Sequence, residues 1–376
     1  MDMKPTVSKK PFDFWIFMTV LILLAIGTVM VFSASGPYAY NQFGDTYFFL
    51  KKQLIAVAFG FISMLITMNI DYRKLGKLSP ILLAGSIAAL ALVLVPGIGI
   101  KIKGAQRWLQ IPGQSWSQVQ PSEFAKLALI LFFAYSLSKR KDQLESFFRG
   151  LLPYLMLTGI FAVLLLLEPH KSCTIIVGLV AGIILFSAGA KIRHFMVMIV
   201  PVLTGMTAVV LFSPYARSRV TSFLDPFADP VGSGWQTINS LYAIGSGGIF
   251  GRGLGKSLQK FLYIPEPQND YIFAILAEEL GFIGVVAILL LFLIFVWRGI
   301  KIAMNAPDKF GSLTALGITA LISVQALLNI LVVTGSIPAT GVTLPFISYG
   351  GTSLMFLMAG VGILLNISKY SNYDRI

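Results

Sequence analysis

The residues able to do chemistry in this chain are few, and most stand at the ends of apolar runs. Asp270 closes the segment Leu262-Tyr-Ile-Pro-Glu-Pro-Gln-Asn-Asp270 and heads an apolar run that continues to Trp297. Pro265 and Pro267 keep the approach extended, because proline restrains both itself and the residue before it. An aspartate at this point has two readings. It caps the helix by accepting from the first unpaired N–H groups, or it is a carboxylate base at the positive end of the helix dipole. Glu278 and Glu279 follow about two turns below, where they either line the same cavity or mark the outer edge of the span. Glu123 and Lys126, three apart in Gln120-Pro-Ser-Glu-Phe-Ala-Lys126, share a helix face and neutralise each other. Ionisable residues inside a membrane are functional candidates by default, the alternative being a structural ion pair at the outer rim.

A second group consists of cations. Arg107, Arg217, Arg219, Lys256 and Lys260 lie among aromatic and Gly-rich stretches, in the connections 97–120 and 214–269. They are either tolerated charge or parts of an anion site. Gly245-Ser-Gly-Gly-Ile-Phe-Gly-Arg-Gly-Leu-Gly255 gives the second connection a backbone able to approach a ligand closely. Gly255-Lys256-Ser257 is not a P-loop, since Phe250 stands where the first glycine belongs and no strand precedes it. The uncharged segment 337–353 holds two prolines and paired glycines, and such backbone at membrane depth lines a cavity or is buried in protein. Its candidate substrate contacts are Ser348, Gly350, Gly351 and Ser353. His170 and His194 receive no role, and no zinc spacing or nucleophile elbow is present.

The elements that position these residues are apolar helices. Of 376 residues, 56% are hydrophobic and only 12% charged, about half the charged share of a soluble domain. The net charge of +13 is scattered through short loops, which suits anionic lipid headgroups better than nucleic acid. One cysteine, Cys173, rules out an intramolecular disulfide. Ten runs are long enough to cross the bilayer, near 13–35, 48–68, 79–96, 121–138, 150–167, 173–190, 193–213, 271–297, 311–333 and 346–368. No small-residue cleavage site follows the first, so it reads as a retained span. Glu168-Pro-His-Lys-Ser172 reads as a tight hairpin rather than the middle of one kinked helix. That choice places Lys4, Lys9, Lys10, Arg73, Lys74, Lys77, Lys139, Arg140, Lys141, Arg149, Lys191, Arg193, Arg298, Lys301, Lys309, Lys369 and Arg375 on one side, the cytoplasmic one. The expectation is an all-α polytopic membrane protein of one domain, with both termini inside and one large outer loop between spans seven and eight. A short interfacial helix is expected at 235–244, with Trp235, Ile238, Leu241 and Tyr242 on one face.

The motifs resemble the SEDS family, the FtsW, RodA and SpoVE membrane glycosyltransferases of bacterial cell-wall synthesis. The likeness rests on Gln120-Pro-Ser-Glu123-Phe-Ala-Lys126, Pro265-Glu-Pro-Gln-Asn-Asp270-Tyr-Ile-Phe-Ala, Glu278-Glu-Leu-Gly281 and Pro345-Phe-Ile-Ser-Tyr-Gly-Gly-Thr-Ser353. Gly-Val-Thr-Leu-Pro in the last stretch, with Ala306-Pro-Asp308, leans towards FtsW or SpoVE. The resemblance implies polymerisation of lipid II into glycan strands at the outer face of the cytoplasmic membrane, in division, elongation or sporulation. It implies Asp270 as the catalytic aspartate, Glu123–Lys126 as the membrane ion pair, and a class B penicillin-binding protein as partner. Gln268-Asn269 and the turn Glu168–Thr174 depart from the family pattern, and that turn receives no catalytic role. A lipid pyrophosphate is already a good leaving group, so one base and several cations suffice. A divalent cation such as Mg2+ could share the cations' task. A lipid II flippase or a scaffold is the alternative reading.

Overall fold

The computed structural model describes residues 11–102, 105–110, 118–139 and 146–371; Lys4, Lys9, Lys10, Lys103, Arg140, Lys141 and Arg375 lie outside them. Each of the ten apolar runs contains a helix, the last only from Gly351 onwards. They form α1 (Phe14–Phe43), α2 (Phe48–Asn69), α3 (Tyr72–Leu94), α4 (Pro121–Lys139), α5 (Leu152–Leu167), α6 (Lys171–Ser187), α7 (Ile192–Phe212), α10 (Ile272–Met304), α11 (Lys309–Val333) and α12 (Gly351–Ser368). Two further helices, α8 (Pro214–Leu224) and α9 (Trp235–Gly247), fold within the long connection. Seven helices among the described residues are long and apolar enough to span a bilayer, so this is a multi-pass membrane protein.

The predominantly helical expectation holds, with one addition. The connection 97–120 carries a small antiparallel sheet, with β1 (Gly99–Ile102), β2 (Ala105–Gln110) and β3 (Gln118–Val119) in that order. Alternation through Ile100, Ile102, Trp108 and Val119 supports it.

α11 and α12 form the centre, with 61% and 67% of their apolar windows buried. Small residues let α12 lie close along α2: Thr67 Oγ1 donates to Ala359 O at 2.9 Å, and a Cβ at Gly362 would stand 2.0 Å from that hydroxyl. The loops read as cytoplasmic meet at one end. Arg298 pairs with Asp13, Arg73 with Asp308, and Lys369 donates to Met68 O.

α10 is broken at Gly281, whose φ of 67° and ψ of −169° leave neighbouring peptide groups unpaired in the helix. The backbone after α9 supplies the partners. Phe282 N donates to Gly248 O and Ile283 N to Ile249 O, while Arg252 N and Gly253 N donate to Glu278 O and Glu279 O. Gly281 and Gly251 touch, since a Cβ on Gly281 would lie 2.1 Å from Gly251 N. Residues 248–263 therefore return along α10 beside Glu278 and Glu279 instead of forming an open polar loop. The helix expected at 235–244 is present, but its face is not the expected one. Ile238 and Ala243 are buried against the protein while Leu241 and Tyr242 are exposed, because Gly247 seats α9 directly on the backbone of Ala277.

Candidate functional site

Asp270 is half-buried and stands two residues before α10. The cap position falls to Tyr271, whose side chain makes no capping bond, so the helix start does not need Asp270 as its N-cap. Asn329, buried on α11, holds the aspartate through its backbone. Its Nδ2 donates to Asp270 O at 2.7 Å and to Val342 O at 2.6 Å. The strap 339–343 passes beside the carboxylate at Gly341, where φ is +72° and a Cβ would lie 3.5 Å from Asp270 Oδ2. A side chain there would strain the backbone and crowd the acid.

Arg219 reaches the same strap from α8, donating from Nη1 to Ala339 O at 2.6 Å. Its half-buried side chain lines a cleft of about 350 Å³, with Ser222, Trp235, Gln236, Tyr271 and Ala339. Burial pushes the Tyr271 phenol up, Asp270 adds to the rise and Arg219 opposes it. The strap thus touches both a carboxylate and a cation from segments about fifty residues apart, and Tyr271, next to Asp270, lines the cleft with Arg219.

Three helix starts are joined to one another. Tyr349 N donates to Gln268 O at 2.9 Å, just before α10, and Gln120 N to Thr352 Oγ1 at 3.3 Å, linking α4 to α12. Helix N-termini favour anions through their unpaired N–H groups and dipoles. Ser348 is buried and accepts from Leu344 N at 2.8 Å, so it closes its own turn. Gly350 N donates to Gln53 Oε1, Gly351 is the exposed first residue of α12, and Ser353 lies half-buried in its first turn.

The Glu123–Lys126 pair is formed, with Nζ to Oε1 at 2.9 Å and both side chains buried. Lys126 Nζ also donates to Gln325 Oε1 at 3.3 Å, and Gln325 Nε2 to Thr343 O and Oγ1.

This chain matches the FtsW/RodA/SpoVE family, described as cell cycle protein, over residues 14–373. It belongs to that family. The stage V sporulation protein E of Bacillus subtilis (strain 168) is 47% identical over 369 residues, covering 98% of this chain and 100% of that protein. A probable peptidoglycan glycosyltransferase FtsW of Geobacter sp. (strain M18) is 44% identical over 357 residues, covering 95% and 96%. Among solved structures, a chain from work on the coordination of polymerization and crosslinking by a peptidoglycan synthase complex superposes with a TM-score of 0.79 at 31% identity, covering 95% and 97%. The rod shape determining protein RodA of Thermus thermophilus superposes at 0.69 with 28% identity, covering 95% and 96%.

Not every expected site residue of this FtsW/RodA/SpoVE member reaches Asp270. Lys260 is 4% exposed and bonds Glu279 Oε1 at 2.9 Å and Ser33 Oγ at 3.2 Å, so it leaves the set of anion-binding cations. Glu279 also accepts from Ser33, and Glu278 from Ser257 Oγ and from Leu258 N. These carboxylates tie the returning segment to α10 and do not line the cleft by Asp270. The reason is the break at Gly281, which brings 252–260 against them. Lys256 is exposed on that returning segment. Arg217 Nη2 donates to Leu211 O at the end of α7. Arg107 Nε and Nη2 donate to the carbonyls of Glu168 and Pro169.

That last contact holds a turn to which sequence reasoning gave no role. Glu168 is buried with neither carboxyl oxygen bonded to a described residue. Burial pushes its carboxyl up to about 8, against the lowering influence of Arg107. His170 is held down to about 3, first by burial and then by Arg107 and Lys126. Gln325 and Asn329 were also missed. Two amides four apart within an apolar run are a readable signal of a polar face inside a span. Among the described residues, no group of three or more His, Cys, Asp or Glu side chains is placed to hold a metal ion.

Proposed function

We propose that this chain is a peptidoglycan glycosyltransferase that polymerises lipid II at the outer face of the cytoplasmic membrane, with Asp270 as general base. One observation carries the residue assignment: a strap at the head of α10 sets the Asp270 carboxylate beside a cleft lined by Arg219. The acceptor sugar's hydroxyl oxygen attacks the anomeric carbon of the donor, and the bond from that carbon to the lipid pyrophosphate breaks. Asp270 takes the hydroxyl proton. Arg219 and the joined N-termini of α4, α10 and α12 meet the charge on the departing pyrophosphate. The leaving group needs no acid, in contrast to the paired carboxylates of glycoside hydrolysis. The relatives named as peptidoglycan glycosyltransferases and the superposition on a synthase complex support the reading. A penicillin-binding transpeptidase is the proposed partner, since that complex couples polymerization to crosslinking.

The test is a purified-protein assay with lipid II. Glycan strands are expected from the wild type and at a rate lower by about 10²–10⁴ from Asp270→Asn, with both inserted and binding lipid II. A wild type that moves lipid II across vesicles without polymerising it would favour the flippase instead.

A further inference from the structure

The strap 339–343 is pinned at four points within five residues, from three helices. Arg219 bonds Ala339 O, Ser172 Oγ bonds Thr340 O, Asn329 bonds Val342 O, and Gln325 bonds Thr343. Gln325 and Asn329 lie four apart on α11, hence on one helix face, and both are buried. Each amide has a second attachment. Gln325 accepts from Lys126 of the membrane ion pair, and Asn329 donates to the backbone carbonyl of Asp270. A continuous line of polar contacts therefore runs from Glu123 through Lys126, Gln325, the strap and Asn329 to Asp270.

From this line we infer that Gln325 and Asn329 are positioning residues for the transfer reaction, fixing the Asp270 backbone and coupling it to the Glu123–Lys126 pair. The inference rests on Asp270 acting as the base. Neither amide touches the carboxylate, so each acts through the strap and the peptide that carries Asp270. A buried amide in an apolar helix costs free energy unless its bonds are made. Asn329 Nδ2 makes two short bonds, and both end on segments flanking the proposed base. A displacement of about 1 Å at a reacting group costs on the order of 100-fold in rate.

The experiment compares lipid II polymerisation by Asn329→Leu and Gln325→Met, which keep side-chain size while removing the amide bonds. Expected is a kcat reduced on the order of 100-fold for Asn329→Leu and about 10-fold for Gln325→Met, with KM changed by less than about threefold. Thermal unfolding separates this from a general loss of fold, and both variants should unfold within a few degrees of the wild type. In an Asp270→Asn background, Asn329→Leu should lower the residual rate no further, because there is no base left to position. Gln325→Glu supplies a shape-conserving control. It keeps the acceptor for Lys126 but loses the donor to Thr343, and it should be as slow as Gln325→Met. A wild-type kcat in Asn329→Leu, or a loss confined to KM, overturns the inference while leaving Asp270 as base. Should Asn329→Leu not fold, a wild-type kcat in Gln325→Met and Gln325→Glu overturns it. An Asp270→Asn variant at the wild-type rate instead removes the functional reading beneath it.

Discussion

Asp270 and Glu279 are carboxylates nine residues apart on one stretch of chain, and they sit in opposite surroundings. Glu279 is 1% exposed and accepts from Ser33, Lys260 and Ser257 N. Asp270 is half-buried, anchored through its backbone carbonyl by Asn329, with its carboxylate at the strap beside a cleft. A carboxylate surrounded by buried donors is committed to those bonds and stabilises the fold. Asp270 is instead positioned through its main chain next to the strap, which is where the proposed base has to stand. The break at Gly281, just past Glu279, folds 252–260 against that acid and leaves Asp270 at the other end of the segment.

Exchanging each acid for its amide should separate the two uses. Asp270→Asn should reduce polymerisation by about 10²–10⁴, or roughly 3–5 kcal/mol of barrier, and leave thermal stability nearly unchanged. Glu279→Gln should do the reverse. It leaves Lys260 as a buried unpaired charge and should cost roughly 3–5 kcal/mol of stability, while the surviving folded protein polymerises within a few-fold of the wild type. Adding Lys260→Met to Glu279→Gln should restore part of the lost unfolding temperature. Equal effects on rate and stability at both positions would erase the distinction.

The cations carry the same contrast at lower cost. Arg219 lines the cleft and Arg217, two residues before it, bonds the end of α7. Arg219→Gln should weaken lipid II binding by roughly 1.5–3 kcal/mol, a loss of one charge-assisted contact. Arg217→Gln should change it by less than about 0.5 kcal/mol. Titrating fluorescent lipid II into each purified variant measures both. Matching losses would show that the two arginines act only as surface charge.

Helices were legible because apolar length and loop charge are summed over many residues, so the ten runs emerged despite ragged ends. Asp270 and the Glu123–Lys126 pair were legible for a related reason: a charge at the edge of hydrocarbon is expensive and stands out. What stayed hidden depends on one backbone conformation. Gly281 inside Glu278-Glu-Leu-Gly281 reads as an ordinary helix residue, yet its positive φ breaks α10 and folds 248–263 back along it. That fold-back, invisible to periodicity, turns Lys260 from an outer cation into the partner of Glu279. The strap was hidden similarly, since 337–350 has no period, and its contacts come from α8, α6 and α11 at once. Loop 97–120 hid its sheet because strands of two to six residues are too short to outweigh the surrounding helical pattern.

Glu168 probes the comparison where the expected effect is smallest. It is buried like Glu279, but neither of its oxygens meets a described partner, and Arg107 donates to main-chain carbonyls beside it. Burial raises its carboxyl to about 8 from an ordinary 4.5, with Arg107 opposing. A group that holds its proton more tightly when folded stabilises the fold below its unfolded value. That contribution is lost as pH rises through the folded value. His170, lowered to about 3 from 6.5, works the other way and loses stability as pH falls. The two oppose each other between 4.5 and 6.5, and above 6.5 only Glu168 of this pair still titrates. Unfolding temperature should therefore decline from pH 6.5 to 8, by at most about 2 kcal/mol of stability at 1.36 kcal/mol per unit. Glu168→Gln keeps the shape and cannot ionise, so its unfolding temperature should be flat across that window. A slope that survives in the Gln variant would mean that another group titrates in this window and that the buried carboxyl of Glu168 is not its source.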